Sequence, residues 1–158
     1  MSDRHQPRPA TTPTALDRHE LEVRMLAVRD HVPGLRALLA EQAMRADFDL
    51  DFIDDVRLAV DEVCALALVN CTPRDVLTVR LLVDATHVRI EASVPTTLDE
   101  PRVNGLSLRV LQALADSLDH GIDENGTERV FRLGFGRSRR PYPSRGTPSN
   151  GFEPPRSG

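Results

Sequence analysis

Two cysteines and five histidines are the side chains of this sequence best suited to metal binding or redox chemistry. Cys64 and Cys71 are seven positions apart in what the pattern predicts as one helix, so they would lie roughly 10 Å apart along its axis. A disulfide between them is excluded while that helix is intact. The histidines are scattered singly, without the spacing of a metal site. We therefore predict no metal site and interpret both cysteines as small buried apolar residues.

The hydrophobic pattern predicts the elements that would position reactive side chains. Alternating apolar residues are typical of half-buried strands, and apolar residues every three or four positions are typical of helices. These patterns place strands at 20–27, 76–83, 86–94 and 128–135, and helices that begin near Pro33, begin near Asp51, and span 106–118. Residues 121–126 would form a turn before the last strand. The expected fold is α+β, a two-layer sandwich of a mostly antiparallel sheet covered on one face by three helices.

Charge is unevenly distributed along the chain. Residues 136–158 carry a net charge of +4 and residues 1–16 one of +1, so the total of −4 leaves −9 for residues 17–135. An acidic domain repels nucleic acid, and we therefore expect no direct DNA binding. A basic protein surface would be its natural partner.

Composition also marks the domain boundaries. We predict a disordered N-terminal tail at 1–16, one folded domain at 17–136, and a disordered, basic tail rich in Pro, Ser and Gly at 137–158, because both tails have too few apolar residues to offset the entropy of ordering. The basic tail would be a solvated segment, with contact to RNA or an acidic partner as the alternative. The longest apolar stretch is too short to span a bilayer and the N-terminus lacks a secretory signal, so we expect a cytoplasmic protein without membrane contact.

Three segments resemble, in order, one protein family. DDVRLAVDEVCALAL (Asp54–Leu68) resembles the nucleotide-site helix of the anti-sigma factor and serine-protein kinase branch of the GHKL histidine kinase-like ATPases. NGLSLRVLQALADSL (Asn104–Leu118) is similar to the helix that follows the ATP lid of that family, and GTERVFRLGF (Gly126–Phe135) is similar to its closing strand. The resemblance covers roughly residues 18–135 and implies the GHKL, or Bergerat-like, ATPase fold.

The resemblance implies a catalytic glutamate whose metal-binding partner is missing. In that family the helix Glu orients the attacking group, and an Asn four residues later holds Mg²⁺. Glu62 matches the Glu, but Leu66 stands in place of the Asn and offers no oxygen to a metal. Asn70 lies a further turn along, a shift of roughly 6 Å. Glu62 is thus a catalytic residue only if the chain is an active kinase; the alternatives are a surface glutamate without function or an ion pair with Arg57.

The adenine pocket that the resemblance implies is incomplete as well. The family uses an Asp at a strand end, followed by glycines that let the backbone approach the nucleotide. Here Ala92 or Ser93 stands in place of that Asp, and no glycine follows before Gly105. Gly105 and Ser107, at a helix N-terminus, remain as a vestigial nucleotide site. We expect no firmly bound cofactor, with weak binding of ATP and Mg²⁺ as the alternative.

Arg36 is the residue that the resemblance assigns to partner contact. It stands 26 positions before Glu62, as does an arginine of the family that contacts partner proteins. The alternative is a solvated helix arginine in an i,i+4 ion pair.

Two functions from different classes remain open. The first is an anti-sigma factor that holds a sigma factor away from RNA polymerase and is released by an anti-anti-sigma (STAS-type) antagonist, which competes for a surface around Arg36. The second is an ATP-dependent serine/threonine kinase that phosphorylates this antagonist, with Glu62 as the base. Leu66 favours the first, with little or no kinase activity. Members of the family often pair, so a homodimer is a further expectation.

Overall fold

The computed structural model describes residues 18–140, which form one antiparallel sheet and three helices. The elements are β1 (His19–Leu26), α1 (Val32–Arg45), α2 (Leu50–Leu68), β2 (Val76–Val83), β3 (His87–Pro95), α3 (Gly105–Leu114), β4 (Ser117–Asn125) and β5 (Glu128–Ser138), with a short 3₁₀ helix, Arg29–His31, before α1. The strand order is β1-β2-β3-β5-β4, and every neighbouring pair is antiparallel. The predicted α+β class and two-layer arrangement are confirmed.

The core lies between one face of the sheet and the helices. Alternate residues of β2 and β3 point to this face and are fully buried, as the period-2 pattern requires. The inner side of α2, with Val56, Val60 and Val63, is buried against them. Burial of each such side chain stabilises the fold by roughly 1.5–3 kcal/mol. This packing fixes the rotation of α2 about its axis, and with it the direction of every side chain on that helix.

Strand β4 was not predicted from the sequence, and the prediction of a helix over 106–118 followed by a turn at 121–126 is wrong in this region. α3 ends at Leu114, because Ala115 is already extended, with ψ at 146°. The Asp116 N–H then donates to the Gly136 carbonyl at 2.8 Å, and β4 pairs with β5 through Asn125. This pairing with a distant strand outweighs the local helical preference. Gly126, with φ at +66°, makes the two-residue turn between β4 and β5.

The end of β5 is tied to the helices by arginines. Arg137 is 9% exposed, and its guanidinium group lies 2.5 Å from an oxygen of Asp55 on α2. It also donates to the Leu114 carbonyl at 2.8 Å and packs over the Phe52 ring. Arg139 donates to two carbonyls of the α1–α2 loop. β5 therefore continues through Ser138, past the boundary at 136 that composition indicated.

The remaining predictions about the ends of the chain lie outside the described residues. This applies to the tail at 1–16 and to residues 141–158 of the C-terminal tail. Across residues 18–140, no helix has both the length and the apolar character needed to cross a membrane.

Candidate functional site

Helix α2 carries the residues on which the nucleotide chemistry of the predicted family would depend. The Asp49 side chain caps its N-terminus by accepting a hydrogen bond from the Phe52 N–H at 2.8 Å. Because the apolar side of the helix faces the sheet, Glu62 lies half-buried toward the outside, whereas Leu66 points inward. Residues four apart are neighbours on one side of a helix, so the two positions are adjacent, but Leu66 is buried in the core whereas Glu62 is only half-buried.

Leu66 belongs to the hydrophobic core. It is 1% exposed and surrounded by other buried apolar residues. A magnesium ion needs oxygen ligands and retains several waters, and a dry apolar interior supplies neither. The ion pair of Glu62 with Arg57, weighed as an alternative, is not formed, because Arg57 pairs with Asp54 at 2.9 Å.

Asn70 holds the loop between β3 and α3 against the end of α2. Its side chain is buried, and its Nδ2 donates to the carbonyls of Leu66, at 2.7 Å, and Arg102, at 2.9 Å. Its Oδ1 accepts from the Arg102 N–H at 2.7 Å. These bonds use both amide protons and one acceptor position. The amide of Asn70 therefore acts as a structural clamp on residue 102, with one acceptor position of its Oδ1 left over.

A small groove of about 260 Å³ lies beside this clamp, between the end of α2 and the loop after β3. Its polar groups are engaged locally. Asp75 accepts from the backbone N–H and the hydroxyl of Thr72, at 2.7 and 2.9 Å, and the Thr96 hydroxyl accepts from the Leu98 N–H at 3.2 Å. No local sequence pattern links Thr72 and Asp75 with Thr96 and Leu98, and only the fold brings them together.

The end of β3 does not offer an adenine-binding carboxylate. Ala92 is 2% exposed and faces the helices, as part of the core. Ser93 faces the opposite way and borders a hollow of about 430 Å³ on the open side of the sheet. The two candidate positions therefore lie on different faces, and neither presents a charged group to the groove near Asn70.

The N-terminus of α3 brings Gly105 and Ser107 into one turn, as predicted, but it is already capped. The Asn104 side chain accepts from the Leu106 N–H at 3.0 Å, and the Asn104 carbonyl accepts from the Leu108 N–H, also at 3.0 Å. Ser107 is buried, whereas Gly105 is exposed. The Asn104 cap thus occupies the Leu106 N–H, one of the donors that an anion at this terminus would use.

Arg36 lies in a second groove, formed by the start of α1 and the outer side of α2. Its Nε donates to Asp61 Oδ1 at 2.9 Å, and its Nη2 lies 2.7 Å from the same oxygen. The i,i+4 pair considered for Arg36 is thus replaced by a pair between helices. This groove, of about 200 Å³, is lined by Arg29, Val32, Pro33, Arg36, Asp61, Ala65 and Leu68. Asp61 and Arg29 were missed because no local pattern links residues this far apart in the chain.

The cysteines are poor nucleophiles in this fold. Burial, and secondarily the charge of Asp61, raises the pKa of the Cys64 thiol to about 12. Burial, with a smaller contribution from Asp75, raises the pKa of the half-buried Cys71 thiol to about 11. Both thiols are therefore protonated at neutral pH. Residues 18–140 contain no group of three or more His, Cys, Asp and Glu side chains arranged to hold a metal ion.

Comparison with known proteins identifies similar chains. No protein-family model matches the sequence. The chain is 36% identical over 101 residues to the anti-sigma-F factor RsbW of Mycobacterium tuberculosis, in the strains CDC 1551 / Oshkosh and ATCC 25618 / H37Rv. This match covers 62% of the chain and 59% of each relative.

The resemblance to RsbW-like anti-sigma factors, first indicated by Asp54–Leu68 and two later segments, is confirmed. The chain spans about 59% of the length of these relatives.

Proposed function

We propose that the chain is an anti-sigma factor that acts in the cytoplasm by binding. It would hold a sigma factor away from RNA polymerase, and an anti-anti-sigma protein of the STAS type would release it by competing for the same surface. The observation that carries this proposal is the 36% identity over 101 residues to proteins named anti-sigma-F factor. The second groove supports it, because Arg36 there is 40% exposed and lies beside apolar side chains.

The alternative is an ATP-dependent serine/threonine kinase acting on that antagonist. Glu62, on the outer side of α2, is the observation in its favour. Three features oppose it: Leu66 is part of the core, Asn70 is bound to residue 102, and Asn104 caps the helix that would receive phosphate. If the kinase were real, Glu62→Ala would abolish phosphate transfer to the purified antagonist. The binding proposal predicts no such transfer by the wild-type chain.

Capture from the native cell tests the proposal. The tagged full chain is expressed at its natural level, and bound proteins are identified by mass spectrometry. We expect an RNA polymerase sigma factor, recovered without the core polymerase subunits, since sequestration separates the two. Recovery of no sigma factor, followed by the absence of binding to each purified sigma factor of that cell, would reject the proposal.

Replacing Arg36 by alanine is expected to weaken sigma-factor binding about tenfold, the usual effect of losing a charged contact at the centre of an interface. Binding is measured by calorimetric titration with the captured sigma factor in purified form. Arg45→Ala is the matched control, because Arg45 lies on the same helix and also forms an ion pair, with Glu41 at 2.7 Å, outside the groove. Equal affinities of the two variants would show that Arg36 has no special part in binding.

A further inference from the structure

The ion pair of Arg36 with Asp61 joins two helices inside the groove assigned above to partner binding. Both Nε and Nη2 of Arg36 approach the same oxygen of Asp61, at 2.9 and 2.7 Å. The side chains are 40% and 34% exposed, respectively, so water and a partner can reach both. An ion pair with this exposure contributes little to folding and can be exchanged at small cost.

The chemistry of the groove matches an acidic side chain flanked by an apolar one. Arg29 and Arg36 supply two guanidinium groups, whereas Val32, Pro33 and Leu68 supply apolar surface. A volume of about 200 Å³ accommodates one or two side chains of a partner. A carboxylate that enters would meet Arg36 with Asp61 already bound to it, and the two negative charges would repel each other.

We propose that Asp61 is an internal competitor for Arg36, and that the carboxylate of a partner replaces it when the complex forms. This inference rests on the proposed anti-sigma function. The partner binds more weakly than it would if Arg36 were free, because the contact between Arg36 and Asp61 must be broken when the complex forms. It keeps the sigma factor within reach of an antagonist that competes for the same arginine.

A double-mutant cycle tests this exchange. The captured sigma factor, in purified form, is titrated into wild type, Asp61→Asn, Arg36→Ala and the double variant, each checked for folding by circular dichroism. Asparagine preserves the shape of Asp61 and removes its charge. We expect Asp61→Asn to raise the affinity about threefold, the size of effect typical of a partly exposed ion pair, and to have no effect when Arg36 is already alanine.

The controls separate the exchange from simpler explanations. Asp54→Asn removes the same charge from α2 at the pair with Arg57, and we expect it to leave the affinity unchanged. A rise of equal size for Asp54→Asn, or for Asp61→Asn in the Arg36→Ala background, would reduce the effect to general electrostatics and overturn the inference. If Asp61→Asn alone, with Arg36 intact, left the affinity for the sigma factor unchanged or lowered it, the inference would be overturned as well. If Arg36→Ala binds like wild type, the assignment of Arg36 itself fails.

Discussion

Replacing Leu66 by asparagine is expected to lower the free energy of unfolding by about 4 kcal/mol and to create no phosphate-transfer activity. The change introduces the residue type that the resemblance to the kinase branch implies for Mg²⁺ binding at this position. In this chain, however, Leu66 is 1% exposed and packed in the core. The variant would lose apolar burial and place an amide where no partner is available. Urea denaturation followed by circular dichroism measures the loss.

Leu58→Asn provides the matched control for this result. Leu58 lies on the same helix and is 42% exposed, so the same substitution should cost only about 0.5 kcal/mol, from lower helix propensity. If Leu66→Asn were as stable as the control and its melting temperature rose with Mg-ATP, the side chain would have access to a metal site. That result would contradict the proposal that the chain works by binding without kinase activity.

Replacing Arg137 by alanine is expected to lower the free energy of unfolding by about 2 kcal/mol. The Arg137 side chain is only 11% exposed, and its guanidinium group pairs with Asp55 and donates to the Leu114 carbonyl. Its removal leaves both acceptors without their donor and uncovers the Phe52 ring. The cost stays below that of a fully buried pair because the Asp55 side chain is 36% exposed. Urea denaturation again provides the measurement.

Arg132→Ala is the control that shows whether the lower free energy of unfolding comes from the buried position of Arg137 or from the loss of any arginine on β5. Arg132 lies on the same strand and pairs with Asp123 at 2.6 Å, but both side chains are more than half exposed. We expect a loss of about 0.5 kcal/mol or less. Equal losses for the two variants would mean that Arg137 does not anchor β5 to the helices.

The order of most elements could be predicted because their signals are local. Apolar and polar residues alternate in β1, β2 and β3, and apolar residues follow the helical period in α2. Each of these patterns can be recognised from the residues of one segment. β4 escaped prediction because its polar residues and Gly121 favour a turn, and only pairing with β5 makes the segment a strand. Arg137 was assigned to a tail for the same reason, since its partner Asp55 is 82 positions away.

The candidate site was only partly accessible from the sequence. The spacing of Glu62 and Leu66 on one helix predicts an incomplete metal site, and the fold adds that Leu66 is buried in the core. The partner of Arg36 could not be predicted, because Asp61 is 25 positions away and belongs to another helix. The bonds of Asn70 to residue 102 are equally remote, at a separation of 32. Spacing along one element was informative, whereas contacts between elements required the fold.

Titration of the full chain with its captured sigma factor, in purified form, tests the central claim most directly. Calorimetry is carried out in nucleotide-free buffer and repeated with millimolar Mg-ATP. We predict saturable binding with the same affinity under both conditions, because the groove around Arg36 shares no lining residue with the groove beside Asn70. Binding that requires Mg-ATP, or no binding under either condition, would contradict the account of a chain that works by binding alone.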